Sequence, residues 1–131
     1  MQRIEQRQFE KGDCGVACVA MITGKPYEEV ELSFQKRRLV SDGCYFTFHK
    51  DLIDVLQSYG CMVKRRKFIS WQRVYSPAIV KVNVRIGNYW HWVVLAGEHR
   101  ILDPKPGSPD VVTDYRGRHG SGQYLHIVQT R

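Results

Sequence analysis

An α+β fold is what this chain predicts, from one change of periodicity along its length and the order of the elements on either side of it. Up to Gly60 the apolar residues recur at helical spacing; from Cys61 onward they alternate as strands do. Helices first and then strands joined by short turns describe an antiparallel sheet packed on helices. No internal repeat and no linker-like stretch interrupts the 131 residues, so residues 1–131 are expected to form one domain, long enough to bury a core.

The first helix is expected to start at Asp13, whose carboxylate is a good acceptor for the free amides of a first turn, and to stop at Gly24 and Pro26. Its residues are apolar nearly all round, which predicts a buried, central helix. A second helix is read from Tyr27 to Lys36, with glutamates at its start and Lys36, Arg37 and Arg38 at its end, as the helix dipole prefers. Leu39 to Phe46 reads as a loop. A third helix follows from Phe48 to Ser58, with Leu52, Val55, Leu56 and Tyr59 on one face and Gly60 after it. Cys61 to Phe68 carries four consecutive cations and suits a sheet edge. Ala78 to Ile86 is a Val/Ile-rich strand, and Tyr89 to Leu95 is apolar enough for a central one. Arg100 to Leu102 returns after a turn at Gly97. A loop from Lys105 to Gly122 then leads to a last strand, Gln123 to Gln129.

A net charge of +7 favours acidic partners without specifying any. The basic runs Lys36–Arg38 and Lys64–Lys67 are short and lack interleaved aromatics, so nucleic acid is not expected as a partner. No basic-then-apolar start and no apolar run long enough to cross a bilayer is visible, which predicts a cytoplasmic protein without membrane insertion. Cys14, Cys18, Cys44 and Cys61 form no Cys-x-x-Cys pair, so neither a structural zinc nor any other cofactor is expected.

Cys14 stands out. It opens an apolar helix, where the positive end of the helix dipole favours a thiolate. Gln8 lies just upstream, with an amide able to donate to a developing oxyanion. Further on, if Gly97 centres the turn of a hairpin, His91 falls directly opposite Asp103 on one sheet face. A carboxylate there orients an imidazole and stabilises its protonated form. Thiol, imidazole and carboxylate are the parts needed for acyl transfer through a cysteine. The cluster Tyr89, Trp90 and Trp92 is read as core plus one wall of a cleft, with Trp90 and Trp92 the candidate substrate-binding residues; by alternation both face away from His91. The Lys105–Gly122 loop, with Arg116, Arg118 and His119, follows Asp103 and is expected to border the cleft. His49, His99, His119 and His126 are read as bystanders.

These residues resemble the bacterial C39 peptidase family, a branch of the papain-like cysteine proteases. In that family a glutamine precedes an Asp-Cys-Gly-x-Ala-Cys run, matched by Gln8, Asp13, Cys14, Gly15, Ala17 and Cys18. The later His-x-Val-Val-Leu and Asp-Pro elements are matched by His91, Val93, Val94, Leu95, Asp103 and Pro104, with a further counterpart in Gly107. The resemblance implies a papain-like fold, with the nucleophile on a central helix packed against a sheet that carries His and Asp. It implies a Cys14–His91–Asp103 peptidase with Gln8 in the oxyanion hole. It also implies a peptide or protein substrate cut after small or glycine residues, and an association with an export or processing system. The chain has no Gly-x4-Gly-Lys-Ser/Thr motif, so a stand-alone domain is expected. Two alternatives share the same residues: an inactive peptide- or protein-binding module and a thiol acyltransferase.

Overall fold

The structure is a computed structural model and describes residues 1–45, 47–85 and 89–129. Among these residues three α-helices, α1 (Cys14–Thr23), α2 (Tyr27–Lys36) and α3 (His49–Ser58), precede five strands: β1 (Met62–Lys67), β2 (Ala78–Arg85), β3 (Tyr89–Gly97), β4 (Arg100–Leu102) and β5 (Gln123–Gln129). The strands make one antiparallel sheet in the order β1-β5-β2-β3-β4.

α1 is buried from Cys14 to Ile22, as its all-round apolar character requires, and packs against α2, α3 and β3. It ends where Gly24 takes φ 70° and returns its N–H to the Ala20 carbonyl, a conformation glycine adopts without a Cβ clash. Gly15 serves a different purpose. A Cβ there would stand 2.8 Å from Thr47 Oγ1 and 3.1 Å from Leu52 Cδ2, so only glycine lets the start of α1 approach α3 this closely. α2 buries Tyr27, Val30 and Phe34, one stripe at helical spacing. α3 buries Leu52, Val55 and Leu56 and begins where Asp51 accepts the Phe48 N–H at 2.8 Å.

The sheet is covered on both faces. Ile79, Trp92, Val94, Leu102, Leu125 and Ile127 meet the helices. Their alternating neighbours, Val80, Val82, Val93, Leu95, Ile101 and Tyr124, form a second cluster closed by Trp71, Phe68, Val74, Val112 and Tyr115 from the loops. Two-sided burial explains the continuous apolar run of β3. As that run predicts, β3 is an interior strand, paired with β2 on one side and the short β4 on the other, while β2 holds the middle of the sheet. The basic β1 is an edge strand, as its charge predicts. Ile86, where the sequence ends the second strand, and Phe46 lie outside the described residues.

Trp92 is 1% exposed, with its ring edge-on to His49 at 5.1 Å and to Trp90 at 6.2 Å. Trp92→Ala is expected to destabilise the fold by about 3–5 kcal/mol, the usual cost of emptying a large aromatic site. Denaturant unfolding followed by far-UV circular dichroism measures it.

Two sequence expectations fail here for local reasons. Asp13 is fully buried but does not cap α1 with its side chain. Its Oδ2 instead accepts the N–H groups of Arg7 (2.8 Å) and Gln8 (3.0 Å) and the Tyr27 hydroxyl (2.5 Å), while Oδ1 accepts Gln6 Nε2 (3.0 Å). The carboxylate thus ties the N-terminal segment to α1 and α2. The hairpin register also differs. Pairs run Val94↔Leu102 and Leu95↔Ile101, then shift to Gly97↔Arg100, with Glu98 and His99 in the turn and His99 at φ 54°. Extending the first pairs puts Asp103 opposite Val93, so it is a diagonal neighbour of His91 rather than the residue across from it. A slip of two residues keeps the side chains on one face, whereas a slip of one would have separated them.

Candidate active site

A cavity of about 330 Å³ opens where the start of α1, the start of β3 and the loop after β4 converge. Cys14, His91 and Asp103 all line it, and Trp90 forms part of its wall. Trp92 does not: it sits in the helix-facing core. Gln8 does not either. Its Nε2 donates to Glu31 Oε2 at 2.6 Å, on the α2 side.

His91 Nε2 lies 2.7 Å from Asp103 Oδ1. Because an ionised carboxylate only accepts, Nε2 carries the proton, and Nδ1 is left free to act on the Cys14 thiol in the same cavity. Both partners are largely buried, their side chains 19% and 5% exposed. Burial on its own would push the imidazole pKa down. The Asp103 bond and the Cys14 sulfur, followed by the charges of both, overcome that and raise it to about 9. Burial on its own would push the carboxyl up. The His91 bond and charge, the Lys105 N–H at 2.9 Å and Arg118 bring it down to about 2. The pair is therefore an imidazolium–carboxylate at neutral pH.

Arg118 is the addition that sequence reasoning only half supplied. The loop was expected at the cleft, but not that Arg118 Nε would donate to Asp103 Oδ2 at 2.9 Å, giving the carboxylate a partner on each oxygen. Asn83, at φ 55°, braces that loop, accepting the His119 N–H and donating to the Gly117 carbonyl. Trp71 Nε1 donates to the Arg118 carbonyl at 2.8 Å. No pattern in the sequence marks an Arg–Asp contact across a loop of this length. The N-terminal segment braces the other side: Arg3 Nε donates to the Asp103 carbonyl, Gln6 N–H to the Pro104 carbonyl, and Gly107 N–H to Glu5.

Gln6 was also missed. It is 4% exposed and lines the cavity with Cys14. Its Nε2 is fixed by Asp13, while its Oε1 has no partner among the described residues. The 3-10 turn Phe9–Lys11 and Gly12 at φ 69° compact the chain between this segment and Cys14. That local coil turns Gln8 toward α2 and leaves Gln6 lining the cavity with Cys14. The only available signal was that glutamine occurs at both positions. Among the described residues no cluster of His, Cys, Asp and Glu has the arrangement of a metal site, and no helix is long and apolar enough to cross a membrane.

The fold is that of the papain-like C39 peptidase domains. A solved structure, a double glycine motif protease from an AMS/PCAT transporter in complex with the leader peptide, matches 97% of this chain over 97% of its own, with a TM-score of 0.63 and 21% sequence identity. By sequence, no described protein family matches the chain, and no curated protein does.

Proposed function

We propose that the protein is a cysteine peptidase acting through Cys14, His91 and Asp103. The observation that supports this best is the His91 Nε2–Asp103 Oδ1 bond in the same cavity as the Cys14 thiol. The Cys14 thiolate attacks the scissile carbonyl while His91 holds the proton at Nδ1. The tetrahedral oxyanion takes hydrogen bonds from the Cys14 backbone N–H and, in this reading, from the Gln6 amide in place of Gln8. His91 passes its proton to the leaving amine, which departs. Water, deprotonated by the now neutral imidazole, attacks the thioester, and the thiolate returns as the acid leaves. Asp103 holds the ring in the required tautomer throughout, and Arg118 holds Asp103.

The likeness to a double glycine motif protease supports a peptide cut after small residues such as a glycine pair. It also supports an association with a peptide-export or processing system, and a cytoplasmic site of action. The test is cleavage of synthetic peptides carrying an internal Gly-Gly, read by mass spectrometry. A cut on the carboxyl side of the pair, lost in Cys14→Ala, is the expected result. An active-site thioester released only by an added amine would make the protein an acyltransferase. Binding without any covalent intermediate would make it a binding module.

Cys14 is also expected to react with iodoacetamide at about pH 6 faster than Cys44, because His91 is an imidazolium there. Peptide mapping after brief labelling compares the two. Equal rates, or no dependence on His91→Ala, count against an activated thiol.

A further inference from the structure

A second cavity, about 730 Å³ and separate from the Cys14 cavity, lies between the end of β1 and the segment that follows it. Arg65, Arg66, Lys67 and Arg73 line it, no acidic residue does, and among the described residues none of the four pairs with a carboxylate. Apolar groups stand exposed among the cations: Ile69 at 63% and Tyr75 at 58%. β1 has β5 on one side and, among the described residues, no further strand on the other.

We infer that this surface docks an acidic, extended polypeptide segment, which adds to the free edge of β1 with carboxylates on the cations and aliphatic side chains on Ile69. An open strand edge supplies backbone donors and acceptors for such an addition. The charge on that edge resists pairing with another copy of this chain, itself basic, and attracts an anionic strand. The aromatic group argues against single-stranded nucleic acid. Tyr75 is engaged by Arg66, 4.4 Å from the ring centre, and stacked with His126 at 5.4 Å, so it offers no free platform for a base. The inference does not depend on the peptidase reading.

The test uses the full chain and a short fluorescein-labelled peptide of alternating glutamate and valine, followed by anisotropy. Binding is expected at low ionic strength and should weaken as salt rises. The charge reversal Arg65→Glu, Lys67→Glu and Arg73→Glu should weaken it at least about tenfold. The matching reversal Lys36→Glu, Arg37→Glu and Arg38→Glu changes net charge equally but lies on α2 and just beyond it, and should leave affinity within about twofold. Circular dichroism melts confirm that both variants fold. A peptide N-methylated at alternate amides should bind more weakly if it forms a strand. Equal loss in both triple variants would reduce the effect to net charge and overturn the proposal. So would tighter binding of a labelled oligonucleotide at the same residues, or a dimer in sedimentation that the first triple dissociates.

Discussion

Asp103→Asn is expected to lower turnover by about 10³–10⁴-fold while leaving the fold in place, the scale seen where the orienting carboxylate of a catalytic triad is made neutral. The geometry gives the reason. Oδ1 accepts from His91 Nε2, and Oδ2 accepts from Arg118, so the carboxylate fixes both the tautomer and the angle of the ring. An asparagine presents either an oxygen with no charge or an amide that donates, and a donating amide forces the proton to Nδ1, where the thiol needs an acceptor. The change also has a pH signature. With Asp103 removed as a charge, burial dominates His91, and its pKa falls from about 9 toward or below the ordinary 6.5. The alkaline limb of kcat/KM, set by loss of the imidazolium, should move down with it. A pH–rate profile together with an NMR titration of His91 checks both. A profile unchanged from the parent protein would remove Asp103 from the mechanism.

The same shifts fix the sign of the stability effect. The His91 pKa is raised, so its contribution is complete below 6.5 and is lost as pH rises through about 9. The Asp103 pKa is lowered, so its contribution is complete above 3.8 and is lost as pH falls toward about 2. The difference in melting temperature between the parent and Asp103→Asn should therefore be largest between those limits and shrink on both sides. Arg118 adds a separable part. It neutralises the second oxygen without touching the ring, so its loss should weaken the pair less than Asp103→Asn does.

How far the sequence carries can be judged from single residues. The bounds of α2 were legible because its glutamates, its apolar stripe and its terminal lysine agree, so local preference and packing point the same way. β1 was legible as an edge because four successive cations fit few other places in a sheet. The juxtaposition of His91 with Asp103 was legible only through parity. The irregular register between Leu95 and Gly97 cannot be read from composition, yet a slip of two preserves the face. Asp13 was misread because its residue type and position suit an N-cap, whereas its burial beside Tyr27 and Gln6, a tertiary fact, decides its partners. Trp92 was misread because alternation separates it from His91 without saying that α1 covers it. Arg118 and Gln6 depend on where two irregular segments pass, and irregular segments have no period to read.

The second large effect separates the two glutamines. Gln6→Ala is expected to lower kcat by about 10²–10³-fold, with KM changed little, because an oxyanion donor acts in the transition state far more than on the bound substrate. Gln8→Ala should cost far less, since Gln8 does not line the Cys14 cavity and its amide points to Glu31 at the α2 side, whereas Gln6 lines the cavity and its NH2 keeps a second hydrogen beyond the one given to Asp13. The buried position of Gln6 makes a structural loss the main competitor: its Nε2 bond to Asp13 helps tie down the N-terminus. Gln6→Glu distinguishes them. It keeps the size and removes the donor, and it sets a carboxyl against the Asp13 carboxylate, so destabilisation alone would appear as a lower melting temperature. A loss of kcat in Gln6→Ala that survives correction for folded fraction, at temperatures well below its melting point, assigns the donor to Gln6. The reverse order of effects, with Gln8→Ala the slower enzyme, would require the segment around the 3-10 turn to rearrange when substrate binds and would return the role to Gln8.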